Sequence, residues 1–140
     1  MTEILDFVQR HPLLIAAFVA VAGLIIVSEF QRLTQSFADL APPQVVQAMN
    51  HDSPLLLDVR ESRELSTGMI DGAKNIPLSD LGKRLGELEK DKNRKVIVYC
   101  RSGARSATAC RLLQKQGFTD VAHLAGGVMA WQSANLPLNG

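Results

Sequence analysis

Near its start the chain carries a run in which polar positions drop out altogether. Pro12 to Ser28, PLLIAAFVAVAGLIIVS, is 17 residues without a charge. Its apolar side chains run all the way round a helix, the pattern that lipid demands. At ~1.5 Å per residue such a helix covers ~25 Å, near the short end of what spans a bilayer. Ile4, Leu5, Phe7, Val8, Phe30 and Leu33 extend the apolar contact at both ends. Residues 29–41 read as a short connector, partly helical and amphipathic.

From Pro42 onward, short apolar runs alternate with helical spacings. PPQVVQAMN (42–50) reads as a helix opened by its prolines. LLLDV (55–59), 73–76, KVIVYC (95–100) and DVAHL (120–124) read as strands. Between them, 61–67 reads as a short polar helix closed by Gly68, and 104–116 as a helix stopped by Gly117. Leu78, Leu81, Leu85 and Leu88 predict one helix over 78–88, KDKNRK (90–95) a solvated charged loop that could also meet anionic lipid, and 128–134 a closing helix. Gly126 and Gly127 suit the turn into that helix, and Trp131 suits the core. Strand–helix alternation with runs such as LLL and VIV predicts an α/β fold, a parallel sheet buried by helices on both faces.

Composition sharpens this division. The 140 residues suit one domain of ordinary size. We expect 1–38 to be anchor and linker and 39–140 to be the α/β domain. Residues 1–38 hold Arg10 and Arg32 against Glu3, Asp6 and Glu29, so the slightly positive mean hydropathy comes largely from this segment. A cleaved signal peptide and a buried core helix are the competing readings of 12–28. The first would use Ser36-Phe37-Ala38, which lies ten residues beyond the apolar run and follows a leader poor in basic residues. A net charge of +1 argues against nucleic acid held by bulk electrostatics. Two cysteines make no disulfide framework, and His11, His51 and His123 are too scattered for a metal cluster. No metal or cofactor is called for.

The chemistry points to Cys100, the last residue of the clearest strand. Arg101, Ser102, Gly103, Ala104 and Arg105 follow it and lead into a helix. Ligands of parallel sheets bind beyond the carboxyl ends of strands. A helix starting there aims unpaired N–H groups and its positive dipole end at the sulfur, and two arginines add charge. All favour thiolate over thiol. Small residues let the loop curl into a nest of N–H groups, an anion cradle with a nucleophile at its base. Arg105 has a second reading, outward in a surface ion pair. Cys110, among Ala107, Ala109 and Leu112, reads as packing. Asp58 and Arg60 read as an internal ion pair fixing a strand–helix turn, or as support for the loop.

LLLDVRESRELSTGMIDGAKNIPL (55–78) resembles the first signature of rhodanese-homology domains, with D-V-R, a later Glu and G-x-I-x-G-A-x-N-I-P. Met69 stands where that family usually has His, and Leu65 replaces a common aromatic. VIVYCRSGARSATACRLLQKQGFTDVAHLAGGVMAW (96–131) resembles the second, with its C-R-x-G-x-R loop, G-F, V-x-x-L, G-G and Trp. The resemblance covers most of 42–138 and implies a rhodanese-like parallel sheet flanked by helices. With residues 12–28 it is similar to single-domain members bearing a membrane segment. It implies a thiosulfate- or persulfide-type sulfurtransferase working through a Cys100 persulfide, with a small anionic sulfur donor and a thiol acceptor as partners. Two other classes stay open: a phosphatase-type enzyme and an inactive binding module tethered at the membrane beside a membrane-protein partner. Four residues separate Cys100 from Arg105, whereas related phosphatases use a loop one residue longer. Flanking charge leaves the orientation tied. A thiolate works best where thiols stay reduced, which places the N-terminus outside and the domain in the cytoplasm, at the inner (plasma) membrane.

Overall fold

The computed structural model describes residues 1–34 and 36–140, with the backbone alone at Arg32. They form two compact units, Met1–Ser36 and Phe37–Gly140.

In the first unit a short helix, α1 (Thr2–Arg10), leads into α2 (Pro12–Leu33). Proline at the first position of α2 has no N–H to leave unpaired, and Ala, Leu, Ile and Val then continue the helix. Its stretch Pro12–Gln31 is 20 residues long and, by length and composition, apolar enough to cross a membrane. The helix does not stop with the uncharged run at Ser28: the Ser28 hydroxyl donates back to the Ile25 carbonyl (2.9 Å) and the helix continues through Glu29 and Phe30.

The second unit is built on five parallel strands: β1 (Ala38–Leu40), β2 (Leu55–Asp58), β3 (Lys74–Asn75), β4 (Val96–Tyr99) and β5 (Val121–Leu124). Their order across the sheet is β1-β5-β4-β2-β3. Helices α3 (Pro42–His51), α4 (Leu78–Leu81), α5 (Ala104–Lys115) and α6 (Gly127–Ser133) cover the two faces. Successive side chains of a strand point to opposite faces. In β4 and just beyond it, Val96, Val98 and Cys100 join the cluster that includes Ala109, Cys110 and Leu113 of α5. Ile97 and Tyr99 join the opposite cluster, with Val45 and Ala48 of α3 and Val128 and Trp131 of α6. Both faces are covered, which is why β4 reads as an unbroken apolar run.

Three expectations are corrected. The leucine spacing over 78–88 does not make one helix: α4 ends at Leu81 and a separate 3-10 turn runs Leu85–Asp91. Gly82 and Gly86 fall in the intended interior, where each costs ~1 kcal/mol against alanine. The leucines still pack on one cluster, with Leu81 and Leu88 fully buried and Leu78 and Leu85 partly buried against it. The charged stretch 90–95 is not wholly solvated: Asp91 is buried, and Arg94 bridges its carboxylate (3.3 Å) and the Ser53 carbonyl (2.9 Å). The connector 29–41 ends as a strand, Ala38, Asp39 and Leu40 pairing with Ala122, His123 and Leu124.

Candidate active site

Backbone geometry fixes the loop after β4. Gly103 sits at φ +112°, in the left-handed region, and caps the start of α5. That turn folds the chain back on the preceding sulfur. Cys100 Sγ accepts the Gly103 N–H at 3.1 Å and the Ser106 N–H at 3.4 Å, and its thiol lies 3.6 Å from the Ser106 hydroxyl oxygen. The residue is 1% exposed. Burial by itself would push the thiol up. The Ser106 hydroxyl and the N–H groups of Ser106, Gly103 and Ser102 outweigh it, and the thiol lies below its ordinary value.

The outer side of the loop is pinned by α6. The Cys100 carbonyl accepts the Val128 N–H (2.9 Å) and the Arg101 carbonyl accepts the Met129 N–H (3.1 Å). With the carbonyls held outward, the N–H groups face the sulfur. Gly127 lets the two backbones meet. A Cβ there would overlap the Cys100 carbonyl oxygen and come within 2.6 Å of the Arg101 carbonyl.

The arginines divide. Arg105 is clamped by Glu64 in a two-pronged pair (2.6 and 2.7 Å). This pair holds the Glu64 carboxyl down at about 2. Arg105 therefore takes the outward ion pair rather than a position free for a donor. Arg101 is exposed and, among the described residues, has no carboxylate within ion-pair range. Ser102 and Ala104 lie in the same turn, Ala104 as the first residue of α5.

Asp58 and Arg60 form the expected internal pair, 2.6 Å apart, both almost fully buried. Arg60 also donates to the Gly68 carbonyl (2.8 Å) and the Thr67 hydroxyl (3.3 Å), which anchors the 3-10 turn Ser62–Thr67. That turn carries Glu64, so the pair reaches the loop through Glu64 and Arg105. A cavity of about 510 Å³ opens between this turn and α6. Arg63 and Arg101 lie on its wall beside Val128 and Met129.

Sequence reading missed Glu64, Ser106, His123 and Asp39. Ser106 sits three residues past the Gly103 cap, so its N–H and hydroxyl belong to the first turn aimed at Cys100. That spacing was the available signal. His123 and Asp39 carry none until β1 and β5 pair and place them side by side.

A family model described as the Rhodanese-like domain matches residues 41–134. The uncharacterized protein YibN of Escherichia coli K12 is 34% identical over 139 residues, 99% of this chain and 97% of that protein. The thiosulfate sulfurtransferase GlpE of Shewanella oneidensis is 37% identical over 100 residues, 71% of this chain and 97% of that protein. Among solved structures, a rhodanese-related protein from Thermoplasma volcanium superposes with a TM-score of 0.66 at 30% identity, covering 73% of this chain and 97% of that one. The loop that wraps its own N–H groups around Cys100 thus sits in a fold and a sequence shared across these proteins, and the chain belongs to the rhodanese-like family.

Proposed function

We propose that this protein is a sulfurtransferase tethered to a membrane by α2, with residues 1–36 as anchor and linker and 37–140 as the catalytic domain, two residues longer than the sequence alone suggests. The observation that carries the reading is the sulfur of Cys100, buried at the end of β4 and held by the N–H groups of Gly103 and Ser106. The Cys100 thiolate attacks the outer sulfur of a donor such as thiosulfate. A new S–S bond forms, the donor's S–S bond breaks, and its electron pair leaves on sulfite. The resulting Cys100 persulfide carries its charge among the N–H groups of residues 102–106. Cyanide or a cellular thiolate then takes the outer sulfur and returns the Cys100 thiolate. Arg101 and Arg63 draw anionic donors toward the loop, and the apolar ledge of Val128 and Met129 gives room for a larger organic acceptor. A phosphatase reading fits less well, because the loop arginine such chemistry would turn on phosphate is held by Glu64.

Phe37 lies in the core cluster and Ala38 pairs with Ala122, so cleavage after Ala38 would cut away part of the folded domain. That supports a retained anchor over a cleaved leader. The need for a reduced thiol supports a cytoplasmic catalytic domain at the inner membrane. Two measurements test the proposal. Full-length protein in detergent should transfer sulfur from thiosulfate to cyanide, and turnover that survives Cys100→Ser would remove Cys100 as nucleophile. In intact cells an impermeant maleimide should leave Cys100 unlabelled; labelling would reverse the orientation.

A further inference from the structure

Cys100 is almost without contact with solvent, yet a string of polar side chains leads from its sulfur to the surface. The thiol faces the Ser106 hydroxyl oxygen at 3.6 Å. That oxygen lies 2.9 Å from Nδ1 of His123, and His123 Nε2 lies 2.6 Å from a carboxylate oxygen of Asp39. Ser106 is fully buried and the His123 side chain is 10% exposed, while that of Asp39 is 54% exposed. The string crosses three elements, α5, β5 and β1. Its last link follows from the sheet, because Asp39 and His123 are register partners on adjacent strands.

The imidazole is held in place. Phe37 packs edge-on against it, with ring centroids 5.3 Å apart and planes at 90°. A carboxylate only accepts, so Nε2 carries a proton toward Asp39, and the neutral tautomer compatible with that contact has its bare Nδ1 toward Ser106. The Ser106 hydroxyl has one proton and two acceptors in reach, Nδ1 of His123 and the Gly103 carbonyl at 3.0 Å.

We propose that Ser106, His123 and Asp39 form a proton relay that takes the thiol proton of Cys100 and holds it while the sulfur acts as nucleophile. The proposal rests on the sulfurtransferase reading for its purpose and on these contacts for its geometry. In the transfer the S–H bond breaks and its electron pair stays on sulfur. The proton forms a new bond to Ser106 Oγ, as the original hydroxyl proton passes to Nδ1 of His123. Nε2–H remains on the ring, bonded to the Asp39 carboxylate. The products are a thiolate and an imidazolium paired with a carboxylate, with no oxidant and no co-reactant. Ser106 conducts, His123 stores the proton, and Asp39 is a positioning residue that fixes the tautomer and stabilises the cation.

The charged and titratable groups around the string are Asp39 from β1, Cys100 beyond β4, and Arg105, Cys110 and Arg111 from α5. Full-length protein carrying Cys110→Ala leaves Cys100 as the sole thiol. Its alkylation by iodoacetamide, followed from pH 5 to 10, reads the thiolate directly. Asp39→Asn should slow alkylation at pH 7 about tenfold and move the profile about one pH unit upward. His123→Gln should do the same or more, and Asp39→Glu should restore most of the rate. Asp39 is half-exposed on an edge strand, so its amide variant keeps the test available even where His123→Gln fails to fold. Profiles of Asp39→Asn and His123→Gln that superpose on the parent overturn the relay, whatever the turnover. A shifted profile in a protein that moves no sulfur from any donor upholds the relay and overturns the sulfurtransferase reading.

Discussion

Cys100 and Cys110 lie in one apolar cluster, and burial does not separate them: they are 1% and 0% exposed. What separates them is the direction of the dipoles around each sulfur. Cys100 stands at a helix start, where N–H groups have no partners within the helix, and it collects two of them. Cys110 stands in the middle of α5, where the N–H groups are committed to the helix, and its thiol donates to the Ala122 carbonyl oxygen at 3.6 Å. Burial pushes Cys110 up to about 12, whereas at Cys100 the donors overcome the same penalty. A buried thiol is thus inert or reactive according to whether the backbone offers it donors or acceptors.

The contrast can be broken most sharply at the sulfurs themselves. Cys100→Ser should lower thiosulfate:cyanide turnover by about 10³-fold or more. Next comes Gly127→Ala. The left-handed φ of +57° costs ~1–3 kcal/mol. The crowding against the Cys100 and Arg101 carbonyls adds ~1–3 kcal/mol. Urea unfolding should show that loss, with Cys100 alkylation slowed and Cys110 still unreactive in the folded state. A normal Cys100 rate in a destabilised protein would show that α6 does not set the cradle.

A smaller effect is expected at Glu64→Gln, which releases the Arg105 guanidinium beside Cys100 and leaves Cys110 untouched. Steady-state kinetics should show KM for thiosulfate falling by about threefold, the scale of a partly exposed ion pair, with kcat unchanged. A rise in KM would mean that Arg105 serves best where Glu64 holds it. Cys110→Ala should change the turnover least of all, and it sharpens the comparison through pH. The folded-state pKa of Cys110 is raised, so its contribution to stability is complete below the ordinary cysteine value of ~8.5. That contribution is lost as pH climbs toward about 12. Cys100, depressed, contributes above ~8.5 and loses that contribution as pH falls through its folded value. Unfolding free energies measured from pH 7 to 10 should therefore decline less steeply in Cys110→Ala than in the parent.

The loop after β4 was legible because its signals are contiguous. Strand, Cys100, small residues, arginines and helix all fall within ten positions, and local backbone geometry does the rest. Cys110 was legible for the same reason, as one apolar position on a helix. Asp39 was not. It lies 84 positions from His123, in a three-residue strand whose middle residue is charged. Nothing in ADL announces an edge strand until β5 supplies its register. The clamp on Arg105 was hidden similarly, since Glu64 is 41 positions away on a separate turn. The broken helix at 78–88 is a different failure. Leucines three and four apart satisfy an α-helix and a pair of short turns alike, and glycines at 82 and 86 decided between them.

The meeting of Gly127 with the loop bears on how the protein can drift. Side chains at 101, 102 and 104 are exposed, so under the proposed function substitutions there retune which donors are drawn in without disturbing the cradle. Position 127 has no such freedom, because a single methyl group falls on the carbonyls of Cys100 and Arg101. Specificity and chemistry are thereby uncoupled along the chain. Under that function the loop's outer side chains are open to selection for new substrates, while Gly127 keeps the surroundings of Cys100 constant across that change.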